Sequence, residues 1–163
     1  MQQVDAGQVI DQLGIEYFKN ASTLGALSNL ALEAVLRQGQ LLELNQGDVL
    51  FKAGEKGDSF YVVLNGSIAY YRSLNSHKEY LRDYLFGAEI GFVSMVALLP
   101  RQGTAVANKE SLVVKVTNDL FYELHCEHPL DFGILLLNLS REMARTIVTM
   151  SGMLAQEKHE HSQ

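Results

Sequence analysis

The sequence is poor in proline, with two in 163 residues, and in cysteine, with one. So few prolines, and no low-complexity run, leave no composition for a long disordered linker. A lone Cys126 forms no internal disulfide, so a reducing cytosol is the simplest compartment and a cytoplasmic location is expected. No apolar run approaches the roughly eighteen residues of a membrane-spanning helix. The opening MQQVDAGQVIDQLG also lacks the basic and apolar regions of a signal peptide. Basic residues are outnumbered, thirteen to nineteen, for a net charge of −6. That deficit disfavours nucleic acid and anionic membranes as partners, since both are held by clustered positive charge. Missing too are a G-x-S-x-G elbow, an H-E-x-x-H pair and a Walker loop, and the acidic residues are scattered, so no enzyme is expected.

What is present suffices for one domain, because 47% of the residues are apolar. Apolar residues between Ala6 and Gly39 fall at helical spacing. Val9, Ile10, Leu13, Tyr17 and Phe18 form one stripe, and Leu27, Leu30, Ala31, Ala34 and Val35 another. Ser22 or Thr23 is the candidate N-cap of the second helical stretch, and Gly39 its stop. Short strands follow: Leu41–Leu44, Val49–Phe51, Phe60–Leu64, Ser67–Tyr71, Tyr80–Leu85, Thr104–Ala107 and Leu112–Val116. Asn65-Gly66 between two β-rich runs predicts a tight hairpin. Many short strands at regular spacing point to a jelly-roll barrel or sandwich. Helical periodicity returns after Thr117. Asn118 or Asp119 is placed to cap a short helix through Leu124, and Pro129 opens a long one. In that helix Phe132, Leu136, Leu139, Met143, Thr146, Met150 and Met153 keep a near-heptad seam.

Helices, a many-stranded barrel and then a long helix is the order of a cyclic-nucleotide-binding domain. The stretch GQLLELNQGDVLFKAGEKGDSFYVVLNGSIAYYR resembles that family's opening, with Gly47, Gly54, Gly57, Asp58, Phe60, Tyr61 and Gly66 at its turns and strands. The resemblance spans roughly residues 22–150 and extends to the catabolite-activator and fumarate–nitrate-regulator superfamily. It implies an α+β fold, a double-stranded β-helix (jelly-roll) barrel flanked by N-terminal helices and a long C-terminal helix. The expected divisions are an N-terminal helical segment over 1–39 and a barrel over 40–117 that carries a phosphate-binding-cassette helix at about 91–99. C-terminal helices over 118–157 and a frayed tail over 158–163 complete the chain. Most of the glycines need no ligand to explain them, as barrel turns demand them; Gly66 and the Gly57-Asp58 turn border the pocket in the family.

In this family the cassette holds a cyclic phosphate with backbone N–H groups and an arginine, while a glutamate accepts the ribose 2′-hydroxyl. The matching stretch is FGAEIGFVSMVALLPRQGTAV, residues 86–106, where Arg101 after Pro100 fits the clamp. Aligning Gly87 and Gly91 on the family's glycines without a gap leaves nine steps from position 92 to Arg101, as the family requires. The glutamate position then holds Phe92. Reading Glu89 as the acid leaves twelve steps to Arg101, three too many. The gapless register is preferred because Phe92, Met95, Val96 and Leu99 make one apolar face. A phenyl ring accepts no hydroxyl hydrogen bond and is expected to fill space a sugar needs. G-x-x-I-G-F further resembles fumarate–nitrate-type regulators that dispense with cyclic nucleotides, and Gln102 stands where binders carry a small residue.

Two readings of Arg101 stay open: an anion clamp, or an arginine paired with a carboxylate such as Glu89 or reaching to the surface. The expected function is a non-catalytic regulatory or interaction module, degenerate for cAMP and cGMP. The alternative is a true cAMP or cGMP receptor using Arg101 and Glu89; no cofactor is otherwise implied. Candidate ligand-binding residues are Arg101, Gly91, Phe92, Gln102, Gly66 and Glu89. The candidate interaction surface is Met143, Thr146, Met150 and Met153, through which a homodimer or a protein partner is expected, since family members often dimerise along this helix. DNA binding is not implied, because no helix-turn-helix follows in this sequence. His125, Cys126 and His128, even with Glu127, read as a helix-to-helix turn and not as a metal site. His77, placed in a polar hairpin loop, and His159 and His161 in the tail receive no role.

Overall fold

The computed structural model describes residues 1–74 and 77–160. A short strand β1 (Gln2–Gln3) leads into helices α1 (Ala6–Leu13), α2 (Ile15–Lys19) and α3 (Asn29–Gln38). The β region comprises β2 (Gln40–Leu44), β3 (Val49–Phe51), β4 (Ser59–Asn65), β5 (Ile68–Leu74), β6 (His77–Tyr84), β7 (Glu89–Ile90), β8 (Thr104–Ala107) and β9 (Ser111–Thr117). A five-residue helix, α4 (Phe92–Val96), interrupts it between β7 and β8, and α5 (Asn118–Glu127) and α6 (Pro129–Glu160) close the chain.

The strands form two antiparallel sheets, β1-β2-β9-β4-β7 and β3-β8-β5-β6, which face one another as a jelly roll. Strand β4 is buried from Ser59 to Leu64 because it is the wall shared by two cores. Side chains alternate across a strand, so Phe60, Val62 and Leu64 face the helices while Tyr61 and Val63 face the space between the sheets. Strand β9 repeats this, with Leu112, Val114 and Val116 on the helix side and Val113 inside.

Several local expectations are corrected. The N-cap of α3 is Ser28, whose hydroxyl accepts the Ala31 N–H at 3.2 Å. Ser22 and Thr23 instead donate their hydroxyls to the Gly87 carbonyl at 3.0 and 2.7 Å, joined by the Thr23 N–H at 3.1 Å. Thr117, one residue earlier than expected, caps α5 by accepting the Leu120 N–H. The β5–β6 hairpin is longer than its apolar letters suggest. Its strands reach Leu74 and restart at His77, so His77 belongs to a strand and the loop tip at 75–76 lies outside the described residues. Helix α6 continues to Glu160, into the segment expected to fray, and 161–163 lie outside the described residues.

The first half of α6 is tied down. Asp131 accepts both the Ser28 N–H (2.6 Å) and its hydroxyl (2.9 Å), Asn138 donates to the Thr23 and Gly25 carbonyls, and Leu135 and Leu139 are buried. Beyond Thr146 the helix exposes Ile147, Val148, Met150, Met153 and Leu154.

Candidate functional site

The site is built where β7 turns into α4. Gly87 must be glycine: its φ is 83°, and a Cβ would meet the Ser22 backbone nitrogen at 2.5 Å. The three donors that converge on its carbonyl therefore fix the entrance to the cassette from the N-terminal segment. Gly91, at φ 98°, is the residue before α4, and a Cβ there would collide with the Arg101 guanidinium. Spacing brings Gly91 and Arg101 together, and the reason is contact between the guanidinium and the glycine backbone.

Arg101 is only 3% exposed. Its backbone is held from both sides, the N–H donating to the Glu55 carbonyl and the carbonyl accepting from the Gly54 N–H, each at 2.8 Å. The side chain turns inward. One terminal nitrogen donates to the Gly91 carbonyl at 3.0 Å, and the other to the Ser59 carbonyl at 2.6 Å and hydroxyl at 3.0 Å. The guanidinium carbon lies 4.5 Å from the centre of the Phe51 ring and 5.8 Å from that of Tyr61. Such stacking of a cation on aromatic faces adds to the hydrogen bonds. Burial pulls the Arg101 pKa down, although nearby Tyr61, Asp58 and Glu55 oppose the shift. Both local alternatives for this residue are thus corrected: Arg101 neither pairs with Glu89 nor reaches the surface. It staples β4 to the cassette, and its Nε alone is left without a partner.

Glu89 is buried at 8% exposure on β7. One of its carboxylate oxygens accepts the Phe92 N–H at 3.1 Å, so the chain's own acid occupies an N–H at the start of α4. Burial pushes the Glu89 pKa up to about 7; Glu142 adds to the rise, while the Phe92 N–H, Arg82 and Arg101 oppose it. Phe92 is fully buried but faces the helices. Its ring lies 5.4 Å from Phe60 and 5.9 Å from Phe121, edge to face. The expectation that this ring fills the sugar's space is corrected, because the ring lies on the opposite side of the sheet wall.

The space between the sheets is filled by other residues. Phe51 stacks on Tyr61 with centroids 5.9 Å apart, Tyr70 lies edge-on to Phe51 at 6.5 Å, and Tyr84 to Tyr70 at 6.1 Å. Val63 and Ile68 pack in the same cluster. Gly66, at φ 88°, sits at the hairpin and would collide with Ser111 if it carried a Cβ, so it faces the start of β9. Gly57 is closed off by the Leu99 carbonyl and, with Asp58, edges a surface cavity of about 410 Å³ beside Leu98 and Pro100. Gln102 is exposed and donates to the Pro100 carbonyl at 2.8 Å. In α6, Met143 is half-buried against the helix-side core and the Thr146 hydroxyl accepts from Arg82 at 3.2 Å, whereas Met150 and Met153 are exposed. His125 packs on Phe132, and among the described residues no group of three or more His, Cys, Asp or Glu could hold a metal ion.

Ser59, Phe51, Arg82 and Glu142 are the residues sequence reasoning passed over. Ser59 follows the recognised Gly57-Asp58 turn, and Arg82 shares a strand face with Tyr84, so both had a usable signal. Glu142 had none, since its place depends on how α6 docks.

The family model for a cyclic nucleotide-binding domain matches residues 41–128, more than half of the chain. The chain belongs to that family. A solved cyclic nucleotide-binding domain from Methylobacillus flagellatus superposes with a TM-score of 0.79 at 20% identity, covering 95% of this chain and 88% of that one. The regulatory domain of Toxoplasma gondii PKA, solved with cAMP, superposes with a TM-score of 0.69 at 18% identity, covering 86% and 52%. Both show a shared fold. By sequence, the chain is 31% identical over 87 residues to the lysophospholipase NTE1 of Cryptococcus neoformans, covering 53% of this chain and 5% of that protein. The chain spans between 5% and 10% of the length of such curated relatives. The matched family is a ligand-binding one and not a catalytic one.

Proposed function

We propose that this domain is a non-catalytic regulatory module that works without cAMP or cGMP and passes its output through α6 to a second copy of the chain or to another protein. One observation carries this reading: Arg101 is buried with both terminal nitrogens committed to Gly91 and Ser59. A phosphate would have to break these contacts and displace the aromatic residues around them. Glu89 holding the Phe92 N–H, and Phe92 facing away, remove the cassette's other two contributions to a nucleotide. The bare apolar length of α6 after Thr146 supports an output by association. A reducing cytoplasm suits the exposed free Cys126, and among the described residues no helix is long and apolar enough to cross a membrane. The small share of the lysophospholipases that matches is the size of an accessory domain, which suits control of another activity.

The test is thermal unfolding with cAMP and cGMP. Binding at a hundredfold excess over Kd would add about 2.7 kcal/mol of stability. No shift is expected with either nucleotide at millimolar concentration, while sedimentation velocity shows association that Met150→Asp weakens. A nucleotide-dependent rise that disappears in Arg101→Ala would establish a true receptor and overturn the reading.

A further inference from the structure

The connection between α2 and α3, residues 20–28, belongs to no helix or sheet, yet Ala21, Thr23, Leu24 and Leu27 within it are buried. Toward the barrel, the Thr23 N–H and hydroxyl and the Ser22 hydroxyl converge on the Gly87 carbonyl at 3.1, 2.7 and 3.0 Å. Gly87 is in turn laced to β4. Its N–H donates to the Val63 carbonyl at 2.7 Å, and the Val63 N–H donates to the Ala88 carbonyl at 3.0 Å. Toward the C-terminal helix, the same connection offers the Thr23 and Gly25 carbonyls, and the buried Asn138 amide of α6 donates to both, at 3.2 and 2.8 Å. Asp131 fastens the far end through Ser28. Between these holds Ala26 keeps a φ of 65°, a left-handed conformation that a residue with a Cβ retains where its surroundings impose it.

We infer that this connection couples α6 energetically to the cassette, with Asn138 as a positioning residue for the cassette entrance at Gly87. Buried polar groups of irregular backbone have no ladder to satisfy them, so each depends on a particular partner. Without the Asn138 amide, the Thr23 and Gly25 carbonyls lose their donor, and backbone conformations that turn them toward water become favoured. Thr23 is β-branched, with few side-chain rotamers, so rotating its carbonyl away also draws its N–H and hydroxyl off Gly87. There is no slack to absorb the change, because a Cβ on Gly87 would meet the Ser22 nitrogen at 2.5 Å and the Ala21 Cα at 3.0 Å. The dependence runs the other way too. Displacing the Gly87 carbonyl strands three donors and unsettles the two carbonyls on which Asn138 is seated. Coupling of this kind is reciprocal, so whatever stabilises the seat of α6 stabilises the cassette entrance by the same factor. It deepens the reading of α6 as the output element, and rests on that reading for its use, but it needs no nucleotide.

Native-state hydrogen exchange on the nucleotide-free chain tests the coupling, with Asn138→Leu and Thr23→Val made singly and together. Leucine removes both amide donors at similar volume, and valine removes the hydroxyl while keeping the shape. Asn138→Leu should lower protection of the Val63 and Gly87 amides about tenfold more than that of the β2–β9 ladder, the effect of leaving a buried group unsatisfied. Thr23→Val should lower protection of residues 139–146 of α6 in the same selective way. Independent effects multiply in the double variant to within about twofold. Coupled ones should leave the double variant short of that product by about fivefold or more. Effects confined to the mutated element, equal at every amide, or multiplicative in the double variant overturn the inference. Should Asn138→Leu not fold, Asp131→Ala takes its place, because it frees the far end of the same connection without emptying the core. The same selective fall at Val63 and Gly87 is then expected, and its absence is equally decisive. A cAMP-dependent rise in stability would overturn the proposed function and leave this cycle, measured without nucleotide, untouched.

Discussion

Replacing Arg101 with methionine separates a structural staple from an idle ligand clamp. The substitution keeps most of the side-chain length and apolar packing, so a large cavity does not confuse the outcome. Arg101 makes three hydrogen bonds, to the Gly91 carbonyl and to the Ser59 carbonyl and hydroxyl. Hydrogen bonds to a charged group contribute about 1.5–3 kcal/mol each. Against them stands the cost of keeping a guanidinium buried, which is several kcal/mol per ion. The Gly91 carbonyl also accepts the Met95 N–H at 3.3 Å, so its loss is partly covered. The net expected effect of Arg101→Met is a destabilisation of about 2 kcal/mol. For a domain of this size that lowers the melting midpoint by about 4–8 °C. Urea denaturation at constant m, followed by tyrosine fluorescence, measures it directly. A clamp held ready for an absent phosphate behaves in the opposite way. Its charge is a pure desolvation cost, and methionine would leave the chain equally or more stable. That outcome would refute the staple and restore the receptor reading.

Three further perturbations test separate parts of the site. Phe92→Ala should cost about 3–5 kcal/mol by emptying the space between Phe60 and Phe121, and Phe92→Glu should fail to fold rather than create a ribose contact; a folded Phe92→Glu chain that binds cAMP would show that the side chain faces the barrel interior. Gly66→Ala should lose at least about 1–3 kcal/mol in denaturant titration, because a Cβ at φ 88° collides with Ser111, and an unchanged midpoint would contradict the packing at this hairpin. Glu89→Gln should raise stability at pH 8 by roughly 3 kcal/mol, the equivalent of a pKa moved from 4.5 to about 7. Because the folded chain binds this proton more tightly than the unfolded one, the gain should shrink as pH falls through 7 and vanish below 4.5. A gain that is the same at pH 4 and pH 8 would mean that Glu89 is not the group responsible.

The parts of the fold that were legible in the sequence are those fixed by repetition along the chain. Continuous apolar, β-branched runs mark β4 and β9, Asn65-Gly66 marks a hairpin, and Pro129 marks the start of α6. Each is a local property, decided by backbone geometry within a few residues. Misplaced features depended on a partner far away. Ser22 and Thr23 look like caps because nothing nearby competes for their hydroxyls, yet the Gly87 carbonyl, some 65 residues on, takes both.

The cassette shows the same division inside a single motif. Counting from Arg101 places Phe92 at the glutamate position, and Gly91 with Arg101 in contact bears on that register. Counting says nothing of direction. Once the position holds a phenyl ring, the low-energy place for it is the helix-side core beside Phe60 and Phe121, and the backbone can supply that orientation at the first residue of a helix. Glu89 then takes up the N–H that this turn leaves free, and Arg101 takes up the carbonyls of Gly91 and Ser59. Glu89 and Arg101 are thus neither unpartnered nor idle. Burial obliges each of them to satisfy backbone groups, and the same burial raises the affinity of Glu89 for its proton.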